Sequence, residues 1–140
     1  MIHSQMEKVV ASVPTAAGTS DVTLVIDTLA WDHASVTVLR AANASTVFAS
    51  ALKIQHSDDG TAYSDVSGFV AGTDFTLGSA DTANASIVKL DVNTLARKRY
   101  LKVLATPAVS VAMVATARLS RGENAPATAS DAGVLNWVKG

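Results

Sequence analysis

The sequence predicts an all-β chain, folded as an antiparallel β-sandwich of jelly-roll type with about eight strands and extended termini. Three observations carry this expectation. Runs rich in Val, Ile, Thr and Tyr are separated by small polar segments roughly every 8–12 residues, the rhythm of a sandwich or barrel. No segment shows a convincing 3.6-residue apolar period. The stretch Leu52 to Val66 reads as a strand, a tight Asp58-Asp59-Gly60 turn and a second strand. In it Leu52, Ile54 and His56 share one face, with Lys53 and Gln55 on the other. Gly60 supplies the positive φ that a short hairpin loop needs, and Asp58 and Asp59 favour turns by bonding nearby backbone groups.

The elements follow in order. Val9 to Val13 alternates weakly and gives a first strand, and Pro14 to Ser20 is a loop of small residues. Val22 to Ile26 is β-branched and strand-like. Asp27 to Trp31 turns a corner. Ala34 to Leu39 alternates, with Ser35, Thr37 and Arg40 opposing Val36 and Val38. After a polar turn at Ala41 to Thr46, Val47 to His56 leads into the hairpin, and Ala62 to Val66 is its partner. Ser67 to Asp74 holds two glycines and reads as a loop, Phe75 to Leu77 as a short strand, and Gly78 to Ala85 as another loop. Ser86 to Val92 alternates cleanly. Asn93 to Lys98 gives one helical turn in a crossover between sheets, with Leu95 pointing inward and Tyr100 half-buried beyond it. Tyr100 to Ala105 and Ser110 to Leu119 complete the set. The sandwich domain with its N-terminal arm spans residues 1–121, and residues 122–140 form a linker and an apolar tail. Trp137 in that tail needs cover, either on its own sandwich or on another subunit.

Composition narrows the function. Charged residues are 16%, well below the usual quarter, which suits a protein whose surface is covered by neighbours in an assembly. Aromatics are 5%, so the core must be built from Val, Leu, Ile and Ala. A net charge of −1 leaves no basic stripe for nucleic acid, and Arg97-Lys98-Arg99 reads as a solvated turn. The absence of cysteine removes thiolate metal sites, cysteine nucleophiles and disulfides together. No apolar window is long enough for a membrane helix, and Glu7 and Lys8 interrupt the run a signal peptide would need.

No constellation supports catalysis. Asp32, His33 and Ser35 are the residue types of a hydrolase triad, but neighbours on a strand point to opposite faces, so Asp32 does not orient His33. His56 beside Ser57 lacks a nucleophile elbow. Asp58, Asp59 and Asp65 lack the spacing of a calcium loop, and the histidines lack zinc spacing. The expectation is a non-enzyme without cofactor or metal.

Two segments carry a resemblance: the hairpin Leu52 to Val66, and Lys98-Arg99-Tyr100-Leu101-Lys102-Val103. Together they resemble small head-module proteins of tailed bacteriophages, capsid decoration or cement proteins among them. The hairpin is also similar to that of discoidin-type, galactose-binding-like β-sandwich modules. The phage resemblance implies a virion structural protein, made in the host cytoplasm, that binds the outside of a phage head and stabilises it. Its partner would be the major capsid protein and its state a homotrimer, with no nucleic acid and no membrane involved. A carbohydrate-binding module and a tail or baseplate component are the alternatives. The contact residues expected on this reading are Met6 and Val9 in the N-terminal arm and Val134, Leu135, Trp137 and Val138 in the tail, with Trp137 as anchor.

Overall fold

The computed structural model describes residues 6–139. Nine strands form in order: β1 Lys8–Ala11, β2 Thr15–Gly18, β3 Val22–Asp27, β4 Trp31–Arg40, β5 Ala51–Ser57, β6 Ser64–Val70, β7 Ser86–Asn93, β8 Tyr100–Thr106 and β9 Val111–Gly122. One sheet has the order β1-β9-β4-β7, with β2 also on β9; the other has the order β3-β8-β5-β6. Every strand pairing is antiparallel. The chain passes from sheet to sheet at almost every connection, and only β5 and β6 form a local hairpin. That is a jelly roll, and β1 with β2 occupies a single edge position in two pieces.

The alternation in the sequence becomes the core. Val22, Leu24 and Ile26 of β3, Ala34, Val36 and Val38 of β4, and Leu101, Val103 and Ala105 of β8 all face inward and are buried. Each buried Val, Leu or Ile contributes about 1.5–3 kcal/mol of transfer free energy. Phe48 is the one fully buried aromatic, so aliphatic side chains fill the space, as the composition requires.

Several expectations need correction. The segment Pro14 to Ser20 is not simply a loop: Thr15–Gly18 continues the edge strand after a break at Pro14. Side chains bridge the break. Ser12 Oγ accepts from Ala115 N at 2.9 Å, and Thr15 Oγ1 donates to Met113 O at 3.2 Å while accepting from Met113 N at 3.1 Å. Two hydroxyls thus stand in for ladder partners where proline has no N–H to give.

Arg40 lies on the same face as Val36 and Val38, not opposite them, because strict period-2 alternation from Ala34 puts it inside. It is fully buried. Val47 to Ser50 is loop, and β5 starts at Ala51. Ser64–Val70 is a continuous strand in which Gly68, at φ +91, takes up a register shift, so the glycines expected to mark a loop mark an irregular strand and its end. Phe75 to Leu77 forms no strand beyond an isolated bridge at Phe75. The helical turn is a 3-10 turn at Thr94–Ala96, capped by Asn93, but Leu95 points outward, 73% exposed, and Thr94 is the residue that turns in. β9 runs on to Gly122, three residues past the expected end.

The segment after β9 is less loose than its composition suggests. Thr128 and Asp131 bond each other reciprocally, Ala132 is buried, and Val9 N donates to Ala132 O at 2.8 Å. Residues 128–133 therefore close over the outer edge of β1.

Candidate interaction surface

Groups with chemical potential are dispersed by the fold. His33 shares the outer face of the larger sheet with Ser35 and Ser120, and its Nδ1 meets Ser120 Oγ at 3.4 Å. Asp32 lies out of that register. The Asp91 carboxyl is held below the ordinary carboxylate range, first by a hydrogen bond from Ser35 and then by Lys89. His56 Nδ1 accepts from Lys98 N at 3.4 Å. Its pKa is lowered, chiefly by partial burial and then by Lys98 and Arg97. The three hairpin carboxylates diverge. Asp59 receives the Thr61 and Ala62 amides and the Ser57 hydroxyl, and these bonds hold its pKa far down. Asp58 pairs with Lys98 at 3.0 Å, and Asp65 with Lys53 at 2.9 Å. Among the described residues no three His, Asp or Glu side chains converge as metal ligands.

Four aromatic rings have close contacts within the chain. Trp31 lies over Gly122, where an added Cβ would come within 2.7 Å of the ring. Lys102 caps Tyr63 at 4.2 Å and Lys139 caps Trp137 at 3.7 Å. Tyr100 packs against Gly60 of the hairpin and under Arg99. Each of these rings thus has one face met by a group of the same chain.

Two further surface features lie at opposite ends of the sandwich. Strand β4 separates them by roughly 30 Å, at about 3.4 Å per residue. At the Trp31 end, a mixed cleft of about 340 Å³ is lined by Leu29, Ala30, Trp31, Leu95, Arg97 and other residues. Leu29 is 62% exposed. It sits in a three-residue connection where Ala30 takes φ 67, a left-handed conformation that costs a non-glycine residue about 1–2 kcal/mol. That turn is held by Trp31 N on Thr28 O and Glu123 N on Ala30 O, and by Thr28 Oγ1 on Arg99 O at 2.6 Å. Arg99 in turn grips Asp27 with two bonds of 2.9 and 2.8 Å.

At the Leu39 end, a depression of about 220 Å³ is lined almost wholly by apolar atoms of Pro14, Leu39, Ala41, Ala85, Met113 and neighbours. Val13 and Ile87 flank it, 84% and 62% exposed. The loops at the Leu39 end, residues 19–21, 41–50, 71–85 and 107–110, contain Asp21, Asp74 and Asp81 and no base. The Trp31 end mixes both signs: Arg97, Lys98 and Arg99 lie with Asp58 and Asp59 of the hairpin turn and with Glu123.

The contact residues expected from the sequence are scattered over a third region. Met6 is at the margin of exposure, and Val9 is half-buried in β1, where its backbone anchors Ala132. Residues 1–5 of the expected arm, and Gly140, lie outside the described residues. In the tail, Val134 and Trp137 are half-buried, whereas Leu135 is 95% and Val138 93% exposed. Residues 128–133, in the expected linker, fold back on β1. Leu135 and Val138 are left without cover. Sequence reasoning missed Leu29, Leu95, Pro14, Leu39 and Ile87 as surface features. A leucine in a three-residue corner was a signal, but only the topology gathers such residues at two ends.

No family model and no curated protein matches the chain. Among solved structures, a chain described under "Bacillus endospore appendages form a novel family of disulfide-linked pili" is similar over 81% of this chain and 89% of that one, at 12% identity and a TM-score of 0.37.

Proposed function

We propose that this chain is a structural module of a larger protein particle, and more specifically that it decorates and stabilises the outside of a phage head. The observation that carries the reading is the tail. Leu135 and Val138 stand almost fully exposed on a segment whose root, Gly133, is clamped against β1. An apolar peptide presented from a rigid base suits insertion between neighbouring subunits. The dispersed titratable groups favour this reading over an enzyme.

The mechanism is linkage. A module that binds the assembled shell and not its free subunits stabilises the shell by mass action. Around a homotrimer, several weak contacts with major capsid subunits reinforce one another through effective concentration. Co-sedimentation with expanded and unexpanded heads of the parent phage tests this. The expected result is pelleting with expanded heads alone, lost on truncation after Gly133. Absence from both pellets, or retention on immobilised galactosides, would sink the proposal.

A further inference from the structure

The four sheet edges are not alike. At β1 and β2 the edge is broken at Pro14, and Ala132 O takes the Val9 amide. At β6 the register shifts, and the Asp74 carboxylate accepts from the Gly68 and Val70 amides at 2.9 and 3.0 Å. Strand β3 is regular but six residues long, and Asp27, the one charge among its outward side chains, is held by Arg99. Strand β7 is eight residues long, contains no proline or glycine, and keeps an unshifted register with β4 from Ser86 to Asn93. Among the described residues its backbone pairs with β4 alone, so a row of amides and carbonyls faces outward. The core is open along this edge. Val88, on the inner face of β7, is half-buried, whereas Val38, its neighbour across the ladder, is fully buried.

What fits such an edge is an extended strand, and the residue order of β7 singles out a second β7. Lys89 and Asp91 face outward, and Val88, Leu90 and Val92 face inward. Laid antiparallel about Leu90, two copies oppose Lys89 of each to Asp91 of the other, Val88 to Val92, and Leu90 to Leu90. Every inner pair is then apolar, and both charged pairs are of opposite sign. A slide of one residue opposes inner faces to outer ones. A slide of two sets Lys89 against Lys89 or Asp91 against Asp91, and longer slides leave both charges without a partner of opposite sign. One register alone satisfies both faces. We propose that two copies of this chain join through β7 in that register, an isologous two-fold contact that continues the larger sheet across the pair. The exposed Lys89–Asp91 pair of each chain, 3.2 Å apart, becomes half of a row of four alternating charges. The contact is separate from the trimer and from the tail. It leaves Leu135 and Val138 free for a phage head, and pairing and head binding fail independently.

The test exchanges charge at these two exposed positions and follows sedimentation velocity over a concentration series. The wild-type protein is expected to pass from its 14.4 kDa monomer to a dimer. Lys89→Glu and Asp91→Lys each set like charges in opposition and should raise the dimer dissociation constant about tenfold. The double variant Lys89→Glu/Asp91→Lys restores both pairs with the signs exchanged and should dimerise as the wild type does. An equimolar mixture of the single variants should dimerise too, because an acidic strand then meets a basic one. Truncation after Gly133 should leave dimerisation unchanged. Hydrogen exchange on the wild type needs no variant: amides of β7 should gain protection as concentration rises. A wild-type protein that stays monomeric at every concentration overturns the proposal. So does a single variant that dimerises as the wild type does, a folded double variant that does not, or protection gained elsewhere and not at β7. If truncation abolishes association, the tail makes the contact and the proposal falls, whatever the chain does with heads.

Discussion

At the scale of single residues, Arg40 is the least expected feature. Its guanidinium is enclosed at one end of the core, Nη2 donates to Ser45 O at 2.9 Å, and Nε and Nη1 have no partner among the described groups. A buried cation with one hydrogen bond costs more than it returns, but its carbon stem fills core volume. Arg40→Ala is therefore expected to lower stability by about 2–4 kcal/mol through the cavity it leaves. Arg40→Met keeps most of the volume and should cost less than about 1.5 kcal/mol. Urea denaturation of the two variants separates the contributions. His56 makes the second prediction. Its folded pKa lies below the unfolded value, chiefly through desolvation, so the unfolded chain takes up the proton first as pH falls. The His56 contribution is whole above about pH 6.5 and declines as pH drops from there through the folded pKa. His56→Gln keeps an acceptor for Lys98 N without titrating. The melting temperature of that variant should fall less than that of the wild type between pH 7 and pH 5, and parallel curves would refute the assignment.

At the scale of elements, the split edge strand is the informative case. Hydroxyls of Ser12 and Thr15 carry the pairing across Pro14, so Ser12→Ala strands the Ala115 amide and should cost about 1 kcal/mol. Hydrogen exchange should show the loss at Ala115 before it shows at the centre of β9. The clamp between β1 and residues 128–133 rests on Gly133, which combines φ +74 with a backbone so close that an added Cβ would fall 1.9 Å from Val9 O. Gly133→Ala cannot keep that approach. We expect the Val9 amide to lose protection and protease to cut near residues 128–133, with the jelly-roll core unaffected. Such signals were partly legible in the sequence. Period-2 alternation located β3, β4, β7 and β8, because a half-buried strand writes its inner face directly into the residue order. Thr15–Gly18 and the run through Gly68 were not legible. Proline and glycine are turn formers locally, and only a neighbouring strand converts them into an edge break or a bulge.

At the scale of the molecule, the structure separates what stabilises the fold from what is left over. Truncation after Gly133 should lower the melting temperature only modestly, since Leu135 and Val138 bury almost nothing on their own chain and Val134 and Trp137 are only half-buried. The same truncation should remove head binding. A fall of many degrees would mean that the tail belongs to the core, and the proposed role of the tail would go with it. The sparse charge of the chain fits this division. The larger sheet sets His33, Ser35 and Thr37 beside Ser120, Arg118 and Thr116 on its outer face, rich in hydroxyls, with its charges at Arg118, Lys89 and Asp91 engaged in ion pairs.

By itself the sequence determined the all-β class, the sandwich, most strand positions, the aliphatic core and the hairpin turn with Gly60 in its positive φ. These are local properties: alternation, β-branching and turn chemistry act within a few residues of chain. Tertiary structure alone decided where Arg40 and Leu95 point, how residues 128–133 meet β1, and which loops share an end. The pairs Val9 with Ala132, and Leu39 with Pro14 and Met113, are distant in sequence, and nothing in the residues between them records that the fold brings them together.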